Sequence, residues 1–224
     1  MEQKTQSATT LSHLKRRKYS LLIKSAMKLF EEGAFPTVSE LAVEAQVSRA
    51  TAYRYFPTQS DLIAAVVEET LKPIINWMPE QHDVESRVEA LLRFAYPQML
   101  KHEGALRAAL LLSLQQWALR RAAEFKLSSS EEEIASEAQD HLVRGHRKNI
   151  LSQVTEPLNR ELPEEWVKKV NYALSMIYGS EVFMVLKDIW QLENEEVMSM
   201  TQWMAKAILN QARADAKEEE DALS

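Results

Sequence analysis

Five histidines, thirty-three Asp and Glu and no cysteine bound the chemistry open to this 224-residue chain. Without Cys there is no disulfide, no thiolate-held zinc or iron–sulfur cluster, and no cysteine nucleophile. A di-iron carboxylate bundle needs a Glu three residues before a His on each of two helices. Here the residues three before His13, His82, His102, His141 and His146 are Thr10, Pro79, Met99, Ala138 and Val143. His102-Glu103 leads to Leu106, so the HExxH zinc pattern is missing too. Glu137 and His141 lie one helical turn apart, which is a single weak pair of ligands. Gly33, Gly104, Gly145 and Gly179 stand too far apart for a phosphate-cradling loop or a GxSxG nucleophile elbow. The sequence therefore assigns no catalytic residue, no metal and no cofactor.

A different chemistry is written between Val38 and Pro57. Counting Val38 as the first of twenty residues, positions 4, 8, 10, 15 and 18 hold Leu41, Ala45, Val47, Ala52 and Tyr55. All are apolar or aromatic, and Ala42 at position 5 is small enough to let two helices approach. This is the packing pattern of a helix-turn-helix, in which the first helix braces the second against DNA. The ninth position, in the turn, favours glycine because it takes a positive φ. Here it is Gln46, at a cost of about 1 kcal/mol.

The elements around it follow from periodicity and caps. Apolar residues at 19, 22, 23, 26, 27 and 30 form one face of an amphipathic helix that stops at Glu32-Gly33. Thr37 with Glu40 makes a capping box for a helix over 38–45. Ser48 caps a third helix ending at Tyr55, before Phe56-Pro57. A fourth starts near Thr58–Asp61 and runs to about Leu71. Longer helices are predicted over 84–100, 104–126, 130–154, 164–190 and 194–214. Residues 1–10 are polar and read as mobile.

Composition agrees with an all-helical chain. Average usage would give about fifteen glycines, whereas there are four, too few for the turns of a sheet protein. The net charge of −6 is divided unevenly. Residues 1–57 carry nine Lys and Arg against five Glu, giving +4, and the remainder carries −10. Such asymmetry marks separate functional units. The N-terminus lacks the apolar core of a signal peptide, and no uncharged apolar stretch approaches the ~18 residues that span a bilayer. A soluble cytoplasmic protein with no membrane partner is expected.

Thr37-Val38-Ser39-Glu40-Leu41-Ala42, Val47-Ser48-Arg49-Ala50-Thr51-Ala52-Tyr53-Arg54-Tyr55-Phe56 and Asp61-Leu62 resemble the DNA-binding domain of TetR-family transcriptional regulators. The resemblance covers about residues 16–71, with Tyr-x-Tyr-Phe its most specific part; further on it is architectural. It implies an N-terminal three-helix helix-turn-helix domain (11–57), a connecting helix (58–72) and a larger ligand-binding and dimerisation domain (73–213). About nine helices and an acidic disordered tail (214–224) complete the layout. It further implies that the helix from Ser48 enters the major groove of an operator and presents Arg49, Ala50 and Thr51 to base edges. An Arg read against guanine O6 and N7 discriminates by roughly 1–3 kcal/mol. Tyr53, Tyr55, Thr37 and the amides opening the second and fourth helices fall to phosphates, and Ser48, Thr58 and Gln59 belong to the same DNA-binding set. Lys15, Arg16, Arg17 and Lys18 add sequence-independent contacts, and Arg54 faces either phosphate or solvent. Gln59 stands where Lys is frequent in the family, and Ala52 where Leu is common.

The acidic domain is expected to form a homodimer through about 164–190 and 194–213. Trp166, Val170, Leu174, Ile177, Val182, Val185 and Ile189 make the first helix apolar on more than one face. Val197, Met204 and Ile208 form one stripe on the second, and Met200, Trp203 and Ala207 another. One subunit covers one such face; a partner covers the other, unless both pack inside a single subunit. An unknown small-molecule effector would be walled by Phe94, Met99, Trp117, Tyr172, Met176 and Phe183, each of which also suits plain core. Arg144, His146, Arg147 and Lys148 suit an anionic ligand or a solvated face. The reading is a repressor released from double-stranded DNA by that effector. The alternatives are a helical adaptor or ligand-binding protein that has lost DNA binding, and a helical enzyme.

Overall fold

A computed structural model describes residues 2–127 and 146–223, apart from the side chains of 2–12, 123, 126, 127 and 223. The described residues are all-α, without a strand. In chain order the helices are α1 (Glu2–Glu31), α2 (Val38–Glu44), α3 (Arg49–Tyr55), α4 (Gln59–Ile75), α5 (Val84–Lys101) and α6 (Glu103–Leu127). They continue with α7 (His146–Val154), a 3-10 turn (Glu156–Arg160), α8 (Glu164–Ile177), α9 (Glu181–Leu186) and α10 (Asn194–Leu223).

The chain forms two compact units, Met1–Thr70 with His102–Leu142 and Leu71–Lys101 with Val143–Ser224. In the first, Leu22, Ile23, Ala26 and Phe30 of α1 meet Val38, Leu41 and Ala42 of α2, Ala52 of α3 and Leu62, Ile63 and Val66 of α4. Ala105, Ala108 and Leu112 of α6 complete this core. A single cut near residue 72 thus misses α6, whose first turns belong with the N-terminal helices. The small residues explain the fit. A Cβ on Gly104 would come within 2.0 Å of the Phe30 carbonyl oxygen, so only glycine lets α6 lie this close to α1.

In the second unit, α10 packs on α5 and α8, and α7 on α8. The predicted helix over 164–190 is broken. α8 ends where Tyr178 donates its N–H to the Leu174 carbonyl, and Gly179 follows at φ 153. The buried Tyr96 hydroxyl donates to the Ile177 carbonyl, which fixes that break. Burial pushes the phenols of Tyr96 and Tyr178 well above their ordinary pKa. Arg213 of α10 donates to Glu85 of α5 and, at 2.8 Å, to Glu161.

Both ends of the chain depart from expectation. α1 is helical from Glu2 rather than from the amphipathic stretch alone. α10 continues to Leu223, past the point where composition predicts a disordered tail. Lateral contacts hold that acidic end: the Trp166 indole N–H donates to Glu219 at 2.9 Å. Among the described residues no helix is long and apolar enough to cross a membrane.

Candidate nucleic-acid interface

α2 begins at a complete capping box. The Thr37 hydroxyl accepts the Glu40 N–H at 3.2 Å, and the Thr37 N–H and hydroxyl donate back to the Glu40 carboxylate at 2.7 and 2.8 Å. These bonds hold the Glu40 carboxyl below the usual carboxylate range. At the opposite flank Thr58 and Asp61 are joined in the same reciprocal way. Between α2 and α3, Gln46 takes φ 51, the left-handed conformation expected of the turn position. Its N–H bonds to the Val43 carbonyl at 3.1 Å, and the next N–H, from Val47, to that of Ala42 at 3.0 Å.

Ser48 caps α3 by accepting the Thr51 N–H, with its hydroxyl 2.9 Å from that of Thr51. Of the seven residues of α3 only Ala52 is buried. Arg49, Ala50, Tyr53 and Arg54 are exposed, and Thr51 and Tyr55 are half-buried. The helix is seated by the buried Ala52 and the half-buried Tyr55, and it offers Arg49, Ala50, Tyr53 and Arg54 outward, as a helix that reads a groove must.

Neighbouring polar groups are partly committed inside the protein. The Tyr53 and Ser39 hydroxyls lie 3.2 Å apart. Tyr55 donates its hydroxyl to the Lys15 carbonyl at 3.0 Å. Gln59 donates its side-chain amide to the Pro36 carbonyl at 2.9 Å, and Lys28 pairs with Glu44 at 2.8 Å. Lys15, Arg16, Arg17 and Lys18 are all exposed on α1. Spacing alone hid these links, because each joins residues at least fourteen apart in sequence.

The expected effector-lining residues do not gather. Met99 and Phe183 are buried, Phe183 edge-on to Tyr96 with ring centroids 6.3 Å apart. Phe94 stacks on Trp77 at 6.1 Å. Tyr172 and Met176 are exposed on α8, and Trp117, exposed on α6, belongs to the other unit. An open groove in the second unit is lined instead by Glu165, Trp166, Lys169, Asp215, Glu218 and Glu219. Arg147 is spent on Glu181 at 2.5 Å and on the Ser175 carbonyl. Arg144, Glu137 and His141 lie outside the described residues.

The exposed α3, braced by α2 and seated by Ala52 on a core shared with α1 and α4, defines a helix-turn-helix domain. Residues 22–66 match the family model described as Bacterial regulatory proteins, tetR family. The fold is similar to that of a TetR-family transcriptional regulator from Streptomyces coelicolor (17% identity, 91% of this chain and 85% of that one, TM-score 0.63). It is also similar to a TetR transcriptional regulator from Rhodococcus sp. RHA1 (18% identity, 87% and 96%, TM-score 0.53). No curated protein sequence matches the chain. The match to the tetR-family model thus falls on the helix-turn-helix region, and over most of its length the chain shares the fold of these solved structures.

Proposed function

We propose that the protein is a homodimeric transcriptional repressor whose α3 reads an operator in the major groove and whose hold on DNA is released by a small molecule. The observation that carries the DNA-reading role is the exposure of Arg49, Ala50, Tyr53 and Arg54 on a helix seated by Ala52 and Tyr55. Arg49 stands in the first turn, where a guanidinium reaches a guanine edge, and Thr51 lies beside it. Tyr53 and Arg54 on α3, and Thr37, Thr58 and Gln59 beside it, serve phosphates, with the four basic residues of α1 adding charge.

An unpaired apolar surface supports dimerisation. On α10, Val197, Thr201, Ala205, Leu209 and Ala212 are buried, whereas Met200 and Trp203 are exposed. On α8, Val170 and Leu174 face inward while Tyr172 and Met176 are 70% and 77% exposed. A second copy packing on these outward faces buries them, and a two-fold dimer presents two recognition helices to two half-sites. Release by an effector draws on three buried side-chain oxygens that have no hydrogen-bond partner among the described residues: Thr70 Oγ1 on α4, Gln81 Oε1 ahead of α5 and Gln116 Oε1 on α6. Leaving such a group unsatisfied costs about 1–3 kcal/mol, which a ligand donor would recover.

Selection of bound sequences from random duplexes, with and without candidate ligands, tests the reading. A two-fold consensus is expected for the intact chain, and Arg49→Ala relaxes preference at one base pair per half-site. Binding with no consensus, or none at all, points instead to an adaptor that has lost the operator.

A further inference from the structure

We propose that Tyr55 is a positioning residue: its hydroxyl fastens the basic turn of α1 to the C-terminal end of the recognition helix, so that the two engage DNA as one rigid piece. This rests on the DNA-binding reading above.

The turn in question has no core of its own. Every residue of α1 from His13 to Leu21 is exposed, and Leu22 is the next and is buried. Lys15, Arg16, Arg17 and Lys18 thus sit on a stretch of helix that projects beyond the packed part of the domain. Two kinds of contact tie it down laterally. The Tyr55 hydroxyl donates to the Lys15 carbonyl at 3.0 Å. The Tyr19 ring lies 6.1 Å from that of Tyr55 and 5.8 Å from that of the buried Phe56. Lys15 and Tyr19 are one turn apart on the same face of α1, so the bond and the ring contacts grip one edge of the helix.

The direction of the bond matters. A phenol has one hydrogen to give, and here it goes to a backbone carbonyl rather than outward. The Arg54 guanidinium lies over the Tyr55 ring, 5.7 Å from its centroid. Tyr55 therefore acts through what it holds: four cations of α1 keep a constant offset from Arg49, Tyr53 and Arg54. Long basic side chains lose much rotamer freedom on binding, and fixing their backbone beforehand removes part of the ordering cost.

The test uses the full chain and a duplex obtained by the selection above. Tyr55→Phe keeps the ring and deletes only the hydroxyl; a thermal melt confirms that it folds. It is compared with the parent and with a variant carrying Gln at positions 15, 16, 17 and 18, alone and combined with Tyr55→Phe. Each phosphate neutralised contributes about −0.9 to the slope of log K against log salt. Tyr55→Phe is expected to flatten that slope by about one such contact and to weaken binding severalfold at low salt. In the Gln background it should change neither. An equal loss in both backgrounds means that Tyr55 touches phosphate itself, and overturns the proposal; so does no loss in either.

Hydrogen exchange of the free protein gives a readout without DNA. Amides of residues 15–19 should exchange faster in Tyr55→Phe, and unchanged protection overturns the latch. If the parent chain retains no duplex, the DNA-binding reading falls and the positioning role with it. If the parent binds and Tyr55→Phe binds identically, only the positioning role falls.

Discussion

Gln59, in the first turn of α4, donates its side-chain amide to the carbonyl of Pro36, ahead of α2, at 2.9 Å. The residue placed by resemblance at a phosphate thus also closes the loop that leads into the helix-turn-helix. Removing it leaves a partly buried carbonyl without its partner. Gln59→Ala should lower stability by about 1 kcal/mol, read as a smaller urea midpoint with unchanged m-value. A variant as stable as the parent would show that water replaces the amide at no cost.

Gln46 carries the turn between α2 and α3 at φ 51. A side chain with a Cβ pays about 1 kcal/mol or more there, while glycine pays instead in unfolded-chain entropy. Gln46→Gly should therefore stabilise the chain by about 0.5 kcal/mol with the selected DNA sequence unaltered. Loss of stability would mean that the Gln46 side chain makes a compensating contact.

Gly104 works the other way. A Cβ there would meet the backbone carbonyl of Phe30, an atom that no side-chain rotation can move aside. Neither α1 nor α6 yields cheaply, so Gly104→Ala should cost about 1–3 kcal/mol, as overpacking does. Calorimetry should show a Tm lower by roughly 2–4 °C per kcal/mol for a chain of this size.

Acid sensitivity should run through Glu85. Its hydrogen bond from Arg213 holds the carboxyl below its ordinary 4.5. A carboxyl depressed in the folded state adds stability above its unfolded pKa and loses it as pH falls through the folded value. Glu85→Gln should then weaken the chain at neutral pH and reduce the fall in stability below about pH 4.5. The two side chains are 40% and 34% exposed, so solvent screening limits the effect to about 1 kcal/mol or less. Urea midpoints measured across that pH range decide it.

Trp203, 66% exposed on α10, is the sharpest probe of the proposed subunit contact. Trp203→Glu should convert a dimer to a monomer in sedimentation velocity, with little change in helical content. A dimer that survives this change joins through another surface.

Local signals in the sequence were clear where one residue type does one job. Thr37 with Glu40, and Ser48 with Thr51, are caps whose partners stand three positions away, so the starts of α2 and α3 are visible in order of residues alone. The fold class and the helix-turn-helix followed from such signals. Long-range pairing was not visible. Ala105, Ala108 and Leu112 show helical periodicity without showing that they complete the core built by α1, α2, α3 and α4. Gly179 sits in an apolar run whose period conceals the break between α8 and α9. Tyr172 and Met176 read as pocket walls by type, yet they point outward. Residue type gives an affinity for apolar surroundings; only the packed chain decides which apolar surroundings are supplied.

The seating of α3 has an evolutionary consequence. Ala52 is its only fully buried residue, with Tyr55 packed at the core's edge, so most of α3 adds little to the domain's stability. Positions 49, 50, 53 and 54 can therefore be exchanged almost independently of folding. Under the proposed role, operator preference is open to drift and to redesign, because rewriting the reading surface need not first be compensated in the interior.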